Sequence, residues 1–385
     1  MNDIICFSTT AWEPIPTRKQ QVMKRMPDNF RIFYIEPPIT LIGPLKDPLL
    51  KPYYKKYKSN PFKVKDNLYV FSLPPIIPFF NKYRLINKIN QFNIARYIKK
   101  EVFDRFVVKN PIIWTYMPNT VDILRYLPHK ALVYDCIDKH SEFQGFINKQ
   151  LVDNMEAKLA AKSNVVFTTA KGLYDEMKNF NKKVHLIPNG VDFEHFNKAS
   201  TKLELPKVLK DVKKPILGFV GVIQNWIDIE LIEYIAKLKP EWSIVLLGPV
   251  GAGINVDNLK KYPNIYMIGR VDYKELPKYI SHFDVCLNIF KTNKLSQNVS
   301  PLKFYEYLAT TKPIVSTSMQ QVNQFSDCVY IAQGYDDFVN KCEQALNESD
   351  INLINRRLEL SKDASWQNKV SQMLEILKEE GLINE

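Results

Sequence analysis

With 385 residues, 45% hydrophobic and 24% charged, the chain has enough apolar material for two domains of ordinary size, and it carries a net charge of +12. Its five cysteines (Cys6, Cys136, Cys286, Cys328 and Cys342) are scattered without a CxxC pair, which argues against a zinc ribbon or a disulfide framework. No apolar run approaches the roughly 18 residues of a membrane span and no repeat of fixed period appears, which excludes helical membrane proteins and solenoids.

Met1-Asn2-Asp3 leads directly into Ile4-Ile5-Cys6-Phe7, too short and too acidic a lead for a signal peptide, so a cytoplasmic, reducing setting is expected. Residues 3–8 read as an apolar strand and 31–35 as another, with a helix starting near Pro16 between them. That βαβ opening predicts a parallel sheet with helices on its faces. A basic, aromatic segment follows and reads as an insertion over 45–110. Between Lys51 and Lys109, fourteen Lys and Arg face three acids (Asp66, Glu101 and Asp104), nearly the whole charge imbalance. The segment also holds Tyr53, Tyr54, Tyr57, Phe62 and Tyr69, and a proline-broken apolar stretch from Leu73 to Phe80.

Basic residues interleaved with aromatics suit an anionic membrane surface. On charge alone they also suit nucleic acid, but an apolar tip at 76–80 has no use on a phosphate backbone. An anionic membrane is therefore the expected partner, nucleic acid is not, and a solvated loop is the plain alternative. Residues 87–108 read as one long helix.

Strands then resume at 112–116, 131–135, 165–168 and 184–187, and Pro188-Asn189-Gly190-Val191-Asp192 is a strong turn. The run 197–214, with six lysines, reads as a linker. A second alternating unit begins at Ile216-Leu217-Gly218-Phe219-Val220-Gly221, continues through strands near 243–248, 265–269 and 285–288, and leaves a last helix at 366–380. The expected architecture is α/β, two tandem Rossmann-like doubly wound domains. The expected boundaries are 1–199, 200–365 and a C-terminal helix, 366–385, returning to the first domain. Ligands on such sheets sit outside the carboxyl ends of the strands, so an interdomain cleft is the default site.

The richest stretch runs from Ser300 to Ala309. Ser300 suits an N-cap and Pro301 the first helical position. The eight residues from Leu302 are apolar except for Lys303 and Glu306, and a helix apolar on every face is buried. The plain reading of the two charges is an i,i+3 ion pair. The functional reading is an anion site, with free N–H groups and Lys303 meeting a diphosphate and Glu306 accepting a ribose diol. Gly248-Pro249-Val250-Gly251-Ala252-Gly253 has the wrong glycine order for a dinucleotide loop and contains a proline, so it is set aside.

Three pieces together resemble the nucleotide-sugar-dependent glycosyltransferases of the two-Rossmann (GT-B) fold. The turn from Ile187 to Phe196 resembles their interdomain turn. The run from Tyr273 to Pro277, through Phe283-Asp284-Val285 to Pro301–Ala309, resembles their donor signature, and Phe219–Asp228 is similar to the first loop of their second domain. The N-terminal Trp12, Arg18 and Gln20, with Tyr134-Asp135-Cys136-Ile137-Asp138, look like the subgroup of bacterial teichuronic-acid glycosyltransferases.

The resemblance implies a hexosyltransferase that takes a nucleoside-diphosphate sugar, with a UDP-sugar the expected donor, and transfers to a hydroxyl of a cell-envelope or lipid-linked glycan. The enzyme would be peripheral on the inner face of the plasma membrane. It also implies that Glu306 binds the ribose, that Lys303 and the N–H groups after Ser300, Pro301 and Leu302 hold the diphosphate, that Gly221 and Val222 approach the phosphates, and that Arg270 and Val271 present backbone to the base. Many retaining members carry two glutamates eight positions apart; the first falls on Asn298, and Gln224, Asn225 and Trp226 stand where an Arg and a Lys are usual.

No Asp-x-Asp motif is present, so no metal or other cofactor is expected and charge stabilisation falls to Lys303 and the helix N-terminus. Asp135, at a strand end, and Asp138, just past it, are the candidates for general base, with Asp138 preferred and His140 and Glu142 in reserve. With Asn298 in place of the first glutamate, an inverting displacement is the expectation over a retaining one. A sugar-nucleotide epimerase of the same fold is the alternative enzyme, and a basic nucleic-acid-binding protein is the reading from another class.

Overall fold

Runs such as Ile4–Phe7, Ile112–Thr115 and Ile314–Thr317 are buried at every position, as strands covered by helices on both faces must be. A computed structural model describes residues 2–142, 145, 147–292 and 299–384. It divides into a first unit, Met1–Pro188 with Val370–Glu385, and a second unit, Asn189–Lys369.

The first unit holds eight strands: β1 (Asn2–Phe7), β2 (Phe30–Ile35), β3 (Phe62–Lys65), β4 (Leu68–Phe71), β5 (Ile112–Thr115), β6 (Ala131–Cys136), β7 (Val165–Thr168) and β8 (Val184–Leu186). Their order is β3-β4-β2-β1-β5-β6-β7-β8. Every pairing is parallel except that of edge strand β3 with β4. Central β1 sets the register, with Ile5 opposite both Phe33 and Ile113. The first helix, Arg18–Lys24, is entered through Gln20, whose Oε1 accepts the Thr17 N–H at 2.9 Å and whose Nε2 donates to the Ala11 carbonyl at 2.6 Å.

The basic segment differs from the expected insertion. β3 and β4 extend the sheet beyond β2, and Leu73 and Ile76 are buried in the first unit's core with Phe80 packed against it. Of the apolar tip, Ile76 is therefore in the core and Phe80 against it, while Ile77 stays exposed. Apolar side chains are exposed elsewhere, on the helix Arg84–Ile98, which continues as a wider turn through Asp104. Tyr83, Leu85, Ile89 and Phe92 are exposed on it, while Asn87, Asn90 and Gln91 point inward.

The second unit is a six-stranded, fully parallel sheet: β9 (Ile216–Val220), β10 (Ser243–Leu247), β11 (Ile265–Gly269), β12 (Val285–Asn288), β13 (Ile314–Thr317) and β14 (Tyr330–Ala332), in the order β11-β10-β9-β12-β13-β14. The expected linker 197–214 belongs to this unit. Phe196, Ala199 and Leu209 are buried in its core beside Ile216, while all six lysines of the run stay exposed. The boundary accordingly falls at Pro188 rather than at 199. The last helix, Trp366–Glu379, starts in the second unit, and its residues from Val370 onward belong to the first. Among the described residues no helix is long and apolar enough to cross a membrane.

Candidate functional site

In the second unit the helix Leu302–Ala309 packs into the core through Phe304, Tyr305, Tyr307 and Leu308. The Tyr307 hydroxyl accepts the Val220 N–H at 2.7 Å, which fixes the helix against the carboxyl end of β9. Ser300 is not the N-cap. Pro301 holds that position, no side chain caps the helix, and Ser300 instead ties it to the Pro188 turn. Its Oγ accepts the Asn189 N–H at 3.2 Å, and its carbonyl accepts Asn189 Nδ2 at 2.7 Å. Asn189, read in the sequence only as a turn residue, thus holds the chain that enters this helix.

Glu306 is 2% exposed and meets Lys303 Nζ at 2.7 Å. Burial raises the Glu306 pKa, nearby Lys303 opposes the rise, and the Asp192 charge adds to it. A carboxylate buried at such a cost beside one cation is typical of ligand sites as well as of structural ion pairs. Lys303 also lies 6.0 Å from the centroid of the Phe196 ring. The plain i,i+3 pair and the donor-site reading thus share one geometry: Lys303 holds Glu306 and is itself partly exposed.

The loops after β9 and β10 form one platform. Gly221 N donates to the Leu247 carbonyl at 2.8 Å and Ile223 N to the Pro249 carbonyl at 3.0 Å. Gly248, at φ +142, lies so close that an added Cβ would stand 1.9 Å from the Gly221 carbonyl oxygen. Only glycine fits there. Gly251 leaves room for the Gln224 amide, which a Cβ would meet at 2.4 Å. The glycine run from 248, set aside for its order, therefore supports the Gly221 loop, where Val222 is exposed. Arg270 and Val271 follow β11 at the sheet edge, two strands from β9, Arg270 exposed and Val271 packed against the core. Asn298 lies outside the described residues.

In the first unit the two candidate bases have different surroundings. Asp135 is fully buried, and both its oxygens accept Arg18 Nε, at 3.0 and 3.1 Å. Arg18 Nη1 continues to the carbonyls of Ile187 and Pro188 at 2.9 and 3.2 Å. Asp135 therefore holds Arg18 and the chain leaving β8, and is no longer a candidate base. Asp138 keeps part of its surface accessible, burial raises its pKa, and Lys19 pulls it back down. The buried Lys19 ammonium lies 5.9 Å from the centroid of the Tyr116 ring; burial lowers its pKa while Asp138 and Asp135 raise it. Burial pulls His140 down to about 4, so it is neutral at pH 7. Glu142 is exposed and paired with Lys149. Lys19 was not singled out in the sequence; its one signal is its place beside Arg18 at the start of a helix that follows the first strand.

Among the described residues, Asp153, Glu156 and Glu176 are close enough together to hold a metal. Lys139 Nζ already sits among them, at 2.9 Å from Asp153, 3.2 Å from Glu156 and in contact with Glu176. The cluster is an ion network centred on Lys139, and its lysine occupies the place a cation would take.

No family model matches the chain. Over 273 residues it is 24% identical to TuaH of Bacillus subtilis (strain 168), provisionally named a teichuronic acid biosynthesis glycosyltransferase, spanning 66% of this chain and 68% of that protein. Among solved structures it is similar to sucrose-phosphate synthase from Thermosynechococcus elongatus, with a TM-score of 0.72 at 12% identity over 98% of this chain and 99% of that one. It is also similar to HepE of Anabaena in complex with UDP-glucose, with a TM-score of 0.66 at 12% identity over 98% and 99% of the two chains. A trehalose-phosphate synthase from Burkholderia xenovorans gives a TM-score of 0.72 at 11% identity over 99% and 100%.

Proposed function

We propose that this chain, a glycosyltransferase of the two-Rossmann GT-B fold, moves a hexose from a UDP-sugar to a hydroxyl of a cell-envelope or lipid-linked glycan. The observation that carries this reading is the Lys303–Glu306 pair in the first turns of a helix without a side-chain cap, packed against the end of β9. An arriving diphosphate would draw Lys303 from Glu306 and take the free N–H groups after Pro301; Glu306 would then accept the ribose hydroxyls. Val222, carried by the Gly221–Gly248 platform, would face the phosphates, and backbone at Arg270 and Val271 the base. Stabilisation of the leaving UDP would fall to Lys303 and the helix N-terminus without a metal, an electrostatic effect worth several kcal/mol.

In the first unit Asp138 would take the proton of the acceptor hydroxyl. Its pKa is raised from the ordinary carboxylate value, which improves a base that must work near neutral pH. Base-assisted displacement by the hydroxyl inverts the anomeric carbon. Incubation with UDP-glucose and a mixed cell-envelope glycan acceptor is expected to release UDP and give a product of opposite anomeric configuration, read by proton NMR. Retention would overturn the base assignment, and the absence of transfer from any UDP-hexose would overturn the donor.

The same reading includes an anionic membrane as partner. The apolar surface that supports it lies on the helix Arg84–Ile98, where Leu85, Ile89 and Phe92 stand outward at i, i+4 and i+7 among exposed Lys82, Lys88 and Arg96. Beside this helix the Tyr97 hydroxyl donates to the Tyr57 carbonyl at 3.2 Å, which brings the lysines of the turn Pro48–Lys58 alongside. Vesicles rich in phosphatidylserine are expected to float the protein at low salt, and Leu85→Glu with Phe92→Glu to release it. Equal flotation of the double variant would remove this surface from the account.

A further inference from the structure

Of the five tryptophans, Trp114, Trp242 and Trp366 are at most 5% exposed, and half-buried Trp12 lies edge-on against Tyr34. Trp226 differs: it is 41% exposed, and among the described residues its indole makes no hydrogen bond and meets no other ring. A single exposed apolar residue needs no explanation by itself. The backbone beneath this one does. The Trp226 carbonyl accepts the Lys291 N–H at 2.8 Å, Ile227 N donates to the Gln224 carbonyl at 2.9 Å, and Asp228 N donates to the Ile289 carbonyl at 3.2 Å. Ile223 and Ile227, on either side, are each 1% exposed. Asp228 closes the loop, its Oδ1 accepting Leu231 N at 3.1 Å and the Tyr335 hydroxyl at 2.9 Å. The loop is thus pinned on both sides of a ring that it holds out in solvent, the arrangement of a preorganised contact.

This loop leaves β9 at the Gly221–Gly248 platform and crosses to the end of β12, where Ile227 bridges Phe290. The strand order β11-β10-β9-β12 sets it up to three strand spacings, roughly 14 Å, from Arg270 and Val271 at the end of β11, on the scale of an extended nucleoside diphosphate sugar. We infer that Trp226 is the platform on which the hexose ring of the donor stacks. With the base at Arg270 and Val271 and the diphosphate at Val222 and Lys303, the sugar is the part of the donor left for the β12 side. A pyranose shows C–H groups on one face, which an indole covers without asking for a hydrogen bond, while its hydroxyls stay at the rim. Gln224, Asn225 and Trp226 stand where an Arg and a Lys are usual, so this loop has exchanged charge on the diphosphate for apolar contact with the sugar. The inference rests on the reading of the second unit as a UDP-sugar site and adds the residue that meets the sugar.

Tryptophan fluorescence and calorimetric titration of the full chain test it, with UDP, UDP-glucose, UDP-galactose and UDP-N-acetylglucosamine as the probes. At least one UDP-hexose is expected to move the parent's emission to shorter wavelength, as the sugar displaces water from the exposed indole. UDP alone should leave the emission in place, and Trp226→Leu should lose the shift. Trp226→Leu is expected to weaken that UDP-hexose at least ~5-fold and UDP by no more than about 2-fold, and Trp226→Phe to keep most of the affinity because a ring survives. An equal loss for UDP and UDP-hexose would assign the ring to the nucleotide. Parent-like UDP-hexose affinity in Trp226→Leu would leave it a surface residue, and binding of UDP without any UDP-hexose would leave no sugar to stack. Each of these overturns the inference while the nucleotide site stands. Failure of the parent to bind UDP or any UDP-hexose overturns the donor site itself, and the inference with it.

Discussion

An Asp138→Asn variant is expected to lose about 10²–10⁴-fold in transfer rate while binding UDP as the parent does. The loss follows from removing the proton acceptor and leaving the shape of the loop intact. The pH dependence carries the sign of the shift. The base works ionised, and burial raises the Asp138 pKa above the ordinary value. The parent rate should therefore fall on acidification at a higher pH than an ordinary aspartate would give. Lys19 opposes that rise, so Lys19→Met is expected to move the acid limb of the profile to higher pH and leave the plateau rate nearly unchanged. A plain structural role for Asp138 would move neither. His140→Asn is the control: held near 4 by burial, His140 is a weak base, and its loss should leave the acid limb in place. A parent-like rate for Asp138→Asn would pass the role of base to another group.

Arg18→Leu is expected to destabilise the first unit by about 3–5 kcal/mol in urea unfolding, because it leaves the Asp135 carboxylate buried and unpaired. The Ile187 and Pro188 carbonyls lose their donor in the same variant, so the chain leaving β8 loosens as well. The double variant Arg18→Leu with Asp135→Leu should recover most of the loss, since replacing a whole buried pair by apolar groups is often neutral. That pattern separates a pair that positions the chain from a carboxylate that reacts. If the single variant were as stable as the parent, the pair would contribute little and the assignment of Asp135 would reopen.

Much of this was legible in the residues. The helix Leu302–Ala309 announced itself because an all-round apolar run interrupted by two charges has few places to go except the core. Most strands were legible for the same reason, their Val, Ile and Phe runs falling within a residue or two of the observed ends, but β3, β4 and β14 were not read from the sequence. Local reading stopped where long-range partners decide. Asp135 and Asp138 look alike in sequence, and only Arg18, 117 residues away, separates them. The residues 76–80 were apolar enough to suit a membrane or a core; behind β4, Ile76 is buried and Phe80 packs on the core, while Ile77 stays exposed. The cap moved from Ser300 to Pro301 because Asn189, 111 residues earlier, bonds to Ser300. Gly248 was set aside as a failed motif; its role is close packing against Gly221, which no local pattern encodes.

Calorimetric titration with UDP, on the parent and on Glu306→Ala, tests the donor site most directly. The account predicts saturable binding to the parent, weakened at least ~10-fold in the variant, a loss of about 1.4 kcal/mol. Equal affinity in both proteins, or no binding of UDP to the parent, would contradict it.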